Sequence, residues 1–214
     1  ARTQQQIEIL RQISDLRKSN SSPFPVHRFG EIMMTNYLFS GLPENIEYLT
    51  LLKGELQDMI ASRKGVISPE RYRLMSLFMP PLYLMGFLEE TYREHGAVSV
   101  VEPLFSLWGS GSLDPSQPLQ SLARKSFMLP ETSSYGPLGD RIIKDTVDCA
   151  RDYKVDAAVF YAHVGCRQAS ALIRIYKEIL GRLDIPILIL DCDIADPTIT
   201  SSHEIKQKLQ EFFE

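Results

Sequence analysis

Cys166 lies in the run Val155-Asp-Ala-Ala-Val-Phe-Tyr-Ala-His-Val-Gly-Cys-Arg-Gln168, where an apolar stretch gives way to a turn and then at once to a helical pattern. A thiol at the first turn of a helix faces unpaired N–H groups and the positive end of the helix dipole. Both favour thiolate over thiol, and so favour metal ligation or nucleophilic reactivity. Gly165 permits a tight turn before Cys166, and the polar pair Arg167-Gln168 after it implies exposure. His163, three residues upstream, could donate a hydrogen bond to a bound cofactor or tune it, or could be a satisfied structural histidine. A second candidate group is Asp191-Cys192-Asp193 with Asp196, whose carboxylates could act as general acids and bases or hold a hard cation. Carboxylates that follow a strand more often bond the local backbone or cap the next helix. Cys192 reads as a small buried residue at a strand end, and Cys149 as a buried residue inside a helix.

Spacing narrows the chemistry further. The three cysteines are 17 and 26 residues apart, and His163 with Cys166 forms only an isolated H-x-x-C pair, so no zinc ribbon or finger is present. Three scattered cysteines are also no disulfide framework, which points to a reducing cytoplasm as the expected setting. The loop Gly109-Ser-Gly-Ser112 lacks both the Lys-Ser/Thr ending and the glycine spacing of phosphate-cradling loops. Trp108 beside it reads as a packing residue.

The elements that must position these groups follow from periodicity. Ile7, Leu10, Ile13 and Leu16 recur at helical spacing, as do Leu49, Leu52, Leu56, Met59 and Ile60 after Pro43. A shorter helix is expected over 28–39. From Gly65 onward strands alternate with helices: a strand over 74–79 stopped by Pro80-Pro81, a helix over 82–95 closed by Gly96, and a β-branched strand over 97–102. A polar connection over 103–118 leads to a helix over 119–126 and, after a loop over 130–136, to a helix over 138–153 with Ile142, Ile143, Val147 and Ala150 inward. Strands over 155–162 and 185–190, joined by a helix over 168–182, begin 30 residues apart, the length of a right-handed βαβ unit. Both are nearly all apolar, as expected when helices cover both faces of a sheet. Ser201-Ser-His-Glu204 makes a capping box for a last helix over 203–213.

The expected fold is therefore α/β: a doubly wound, mainly parallel open sheet of about four strands with flanking helices, and an N-terminal helical segment. Residues 1–66 form that segment, packed on an α/β domain of residues 67–214. In such a sheet the crevice lies at the carboxyl ends of the strands, so Cys166 and Asp191-Cys192-Asp193 should line it together.

Composition excludes several roles. A net charge of −4 and a pI near 5.7 give no electrostatic reason to expect nucleic acid or an anionic membrane as partner. No apolar run reaches the ~20 residues that span a bilayer. The start, Ala1-Arg-Thr-Gln-Gln-Gln, carries no initiator Met and no apolar signal core, and reads as a cut or processed end.

The ordered combination of His163-Val-Gly-Cys-Arg-Gln168, a helix, Ile185-Pro-Ile-Leu-Ile-Leu-Asp-Cys-Asp-Ile-Ala-Asp196 and the closing Phe212-Phe-Glu214 resembles the C-terminal part of subunits of the 2-hydroxyacyl-CoA dehydratase and benzoyl-CoA reductase family. The likeness is strong over 153–214 and looser upstream. It implies that Cys166 ligates a 4Fe-4S cluster, with His163 and Arg167 as weaker candidates for groups around that cluster. No catalytic acid or base is implied. The family's remaining cluster cysteines lie N-terminal to this region, and this sequence has none before Cys149. Either the chain is a piece of a longer subunit, or it is a relative that lost the ordinary site.

The resemblance further implies a homologous second subunit, an ATP-dependent activator protein that delivers one electron, and an acyl-CoA substrate. The 2-hydroxyl group leaves from a ketyl radical to give an enoyl-CoA; in the aromatic branch the electron enters the ring of benzoyl-CoA. Two readings from other classes stand beside it: a flavodoxin-like domain binding an organic cofactor at the same crevice, and a non-catalytic scaffold subunit.

Overall fold

The computed structural model describes residues 2–24, 26–106, 112–128 and 140–214. Trp108 and Gly109–Gly111, and the loop expected over 130–136, lie outside them. Four strands, β1 (Tyr72–Leu77), β2 (Ala97–Val101), β3 (Ala157–His163) and β4 (Ile187–Cys192), form one sheet in the order β2-β1-β3-β4, and each pair is parallel. The chain moves outward from β1 to β2, then returns to the other side of β1 for β3 and β4. The strand order therefore reverses between β1 and β3, and in a doubly wound sheet that is where a ligand crevice opens.

Alternation along the strands sends side chains to two separate cores. Met75, Leu77, Ala158, Phe160 and Ala162 pack with α7 (Asp140–Asp152) and α8 (Arg167–Gly181). Leu74, Val159, Tyr161, Leu190 and Cys192 pack with α4 (Met85–Glu94) and α9 (Ser202–Phe213). With both faces covered, β1 and β3 are buried nearly end to end, which is why they read as continuous apolar runs. Two short helices, α5 (Pro103–Ser106) and α6 (Pro118–Met128), follow β2.

The N-terminal helices α1 (Arg2–Leu16), α2 (Val26–Leu38) and α3 (Pro43–Ala61) gather around a third core containing Ile13, Phe24, Ile32, Leu49 and Leu56. They are joined to the sheet by a buried ion pair. Arg17 meets Glu102 through two hydrogen bonds of 2.8 and 3.0 Å, and donates to the Ser99 carbonyl at 3.3 Å. Ser99 Oγ donates to Glu102 at 3.0 Å and lies 2.8 Å from Ser76 Oγ. Ser76 also bonds Tyr161, whose hydroxyl is 2.6 Å from that of Tyr92. Buried polar groups cost free energy unless paired, and this chain pairs them across three strands.

Element boundaries differ from the sequence reading at identifiable points. β1 stops at Leu77 because Phe78 takes φ +65, outside any strand geometry. β3 and β4 start at Ala157 and Ile187, two residues later than expected. Val155 and Ile185 instead close the preceding helices: their N–H groups bond Ala150 O at 2.9 Å and Leu180 O at 3.0 Å, after Lys154 and Asp184 in the left-handed region. The helix expected over 82–95 opens as a 3-10 turn, Leu82–Leu84, before α4. On α7 the inward face is Ile142, Thr146, Cys149, Ala150 and the following Tyr153, while Ile143 is 44% exposed. Among the described residues no helix is long and apolar enough to cross a membrane.

Candidate functional site at the carboxyl ends of the strands

β3 runs out at His163, and Val164-Gly165 turn the chain into α8. Cys166 is the N-cap of that helix. Its backbone is non-helical (φ −99, ψ 88), and its Sγ accepts a hydrogen bond from Ala169 N–H at 3.4 Å. Its N–H donates to His163 O at 2.9 Å, and its carbonyl accepts the Ser170 N–H at 3.1 Å. The sulfur is thus half-buried at the strand tips, against the positive end of a 15-residue helix.

Three loops meet here and are tied together. His163 Nε2 lies 2.6 Å from the carbonyl of Met79, in the loop after β1. A carbonyl only accepts, so Nε2 is the protonated nitrogen and Nδ1 is the acceptor. Cys192 Sγ lies 3.8 Å from that Nδ1, opposite His163 in the β3–β4 register. Val164 N–H donates to Cys192 O at 3.0 Å. The loops after β1 and β4 also join directly, through Leu82 N–H to Ile194 O at 3.2 Å and Tyr83 O–H to Asp196 O at 3.3 Å.

The other candidates are placed differently. Cys192 is buried in the α4/α9 core, and burial, with Asp191 and Asp193 nearby, pushes its thiol up to about 12. Cys149 sits inside α7 in the opposite core; burial, then Asp145, Asp152 and Asp148, push its thiol up to about 12 as well. Neither is poised to supply a thiolate at neutral pH. Asp193 Oδ1 accepts the N–H groups of Ala195 and Asp196, both at 2.9 Å, and Asp196 Oδ1 accepts from Thr198 N–H and Oγ1. Those donors hold both carboxyls below the usual range, and both carboxylates serve turns of their own loop. Asp191 is exposed, with its carbonyl bonded to Thr200 Oγ1 at 2.7 Å. Arg167 is exposed at the first turn of α8.

The structure therefore brings Cys166, His163 and Cys192 to one end of the sheet and leaves Cys149 elsewhere. Sequence reasoning missed the Met79 carbonyl and Tyr83; the signal for both was Pro80-Pro81, which forces a loop to lie over the strand tips. Among the described residues no three His, Cys, Asp or Glu side chains come together as a metal-binding group. Of the three cysteines, only Cys166 is not buried.

Comparison with known proteins accords with the resemblance. The model of the family described as 2-hydroxyglutaryl-CoA dehydratase, D-component, matches residues 1–214. A benzoyl-CoA reductase subunit of Thauera aromatica is 24% identical over 93% of this chain. The chain spans about half of that protein's length, 49%. The chain belongs to the 2-hydroxyglutaryl-CoA dehydratase D-component family.

Proposed function

We propose that this chain is part of a subunit of a 2-hydroxyacyl-CoA dehydratase, in which Cys166 supplies one thiolate to a 4Fe-4S cluster. The observation that carries this reading is the position of the sulfur: half-buried, at a helix N-terminus, beside the point where strand order reverses. A cluster needs three or four thiolates. Cys149 and Cys192 are buried in separate cores, so the remaining ligands come from outside these 214 residues.

A bound cluster supplies one-electron chemistry, by which water is eliminated from a 2-hydroxyacyl-CoA to give an enoyl-CoA, the electron arriving from an ATP-driven activator. The chain's own contribution is to hold one thiolate, shield it on the α7/α8 side with the core that Cys166 packs against, and offer helix N–H donors to its sulfur. Arg167, exposed on the same turn, is the weaker candidate for a group around that cluster. A homologous second subunit completes the enzyme, and a reducing cytoplasm suits a thiolate-bound cluster.

The match to a benzoyl-CoA reductase subunit favours a second reading, in which the electron enters an aromatic ring. Both readings are tested on the full-length protein purified anaerobically with its partner and activator. Supplied with ATP and a reductant, it should convert a 2-hydroxyacyl-CoA to the enoyl-CoA and leave benzoyl-CoA unchanged, and Cys166→Ser should abolish turnover. Reduction of benzoyl-CoA alone would select the second reading. Turnover undiminished by Cys166→Ser would remove both.

A further inference from the structure

We propose that His163 is a positioning residue, whose imidazole clamps the carboxyl ends of β1, β3 and β4 and so fixes the turn that presents Cys166, without touching the bound cluster itself. The proposal rests on the reading of Cys166 as an iron ligand.

Three observations carry it. Both ring nitrogens are already engaged within the protein: Nε2–H donates to Met79 O at 2.6 Å, and Nδ1 lies 3.8 Å from the Cys192 sulfur. No ring nitrogen remains to face a ligand. One partner lies in the loop just after β1 and the other is the last residue of β4, so one side chain ties the ends of the two strands that flank β3. The backbone completes the device, because His163 O accepts the Cys166 N–H at 2.9 Å and Val164 N–H reaches Cys192 O at 3.0 Å. The Cys166 backbone is thus tied directly to the residue whose ring is clamped.

The Met79 carbonyl is aimed by a costly conformation. Phe78 holds φ +65, where a non-glycine residue is disfavoured, and its ring is kept against Phe160 at 5.1 Å between centroids. Gly165, by contrast, has open space where a Cβ would stand, so the turn after His163 gains no rigidity from packing at that position. Hydrogen bonds accepted by the His163 and Cys192 carbonyls tie its backbone to the strand ends.

Amide hydrogen exchange on the full-length, iron-loaded protein reads this directly over 164–170, with α7 as internal reference. Loss of this half-buried hydrogen bond should raise local opening about five- to tenfold. His163→Ala should show that rise over 164–170 with α7 unchanged. His163→Gln, whose amide N–H can still reach the Met79 carbonyl, should stay within about twofold of the parent. Unchanged exchange in His163→Ala overturns the clamp, as does equal exposure in both variants. Should His163→Ala lose protection in α7 too, having failed to fold, His163→Gln decides: near-parental exchange supports the clamp and fast exchange refutes it. Iron content separates this from the ligand assignment. If Cys166→Ser keeps all its iron, the cluster reading falls and the clamp's purpose with it. If Cys166→Ser loses iron while His163→Ala exchanges like the parent, the clamp alone is wrong.

Discussion

At the scale of single residues, the protein distinguishes three chemically identical thiols by where the fold leaves them. Cys149 and Cys192 are enclosed in separate cores and stay protonated, whereas Cys166 caps a helix. A similar logic governs charge. Arg17 and Glu102 are almost completely buried, 1% and 2% exposed, and are joined by two hydrogen bonds. Removing one partner strands the other in a low-dielectric interior. Arg17→Met or Glu102→Leu alone should therefore destabilise by about 3–5 kcal/mol, while the double replacement should cost far less. Denaturant melts of the four proteins measure the coupling, and additive losses would show that the pair does not act as a unit.

At the scale of elements, helix ends set most of the boundaries. Gly96 closes the α4 region at φ +71, where an added Cβ would come within 3.0 Å of the Arg71 side chain and 3.2 Å of Pro69 O. Gly96→Ala should cost about 1–2 kcal/mol through the left-handed backbone alone. Ser201 Oγ accepts the Glu204 N–H at 3.1 Å at the start of α9, and Ser201→Ala should cost about 1 kcal/mol. Thermal or urea midpoints check both, and a Gly96→Ala loss no larger than that of Ser201→Ala would contradict the ordering. Helix caps also explain where the sequence misled. Val155 and Ile185 are apolar and stand next to apolar strands, so period alone assigns them to β3 and β4. Their N–H groups in fact finish α7 and α8. The cue was Lys154 and Asp184, non-glycine residues in the left-handed region, a conformation that side-chain pattern does not announce. Ile143 misled in the opposite sense: helical period counts apolar residues, but the inward stripe of α7 includes Thr146 and Cys149 and excludes it.

At the scale of the molecule, the parallel sheet and its strand–helix alternation were readable from the sequence, because continuous apolar strands 30 residues apart leave few other topologies. Strand order was not readable, since it depends on which side of β1 the chain returns to after the connection following β2. The His163–Met79 contact was hidden for the same reason: it joins residues 84 positions apart through a backbone carbonyl, a group every residue carries. Burial has a collective consequence as well. Burial pushes Cys149, Cys192 and Tyr153 up to about 12, from ordinary values of 9 for cysteine and 10 for tyrosine. These groups ionise in the unfolded chain before they ionise in the folded one. Their contribution is therefore complete below about pH 9 and is lost as pH rises from about 9 toward 12. Urea midpoints should fall across that window, and less steeply in the Cys149→Ala, Cys192→Ala double variant; equal slopes would contradict the assignment.

Iron and acid-labile sulfide per subunit, measured on the anaerobically purified full-length protein, test the central assignment most directly. Cys166→Ser should lower both well below the parent, whereas Cys149→Ser and Cys192→Ser should retain parental iron if they fold. Parental iron and sulfide in Cys166→Ser would contradict the assignment of this sulfur as a cluster ligand.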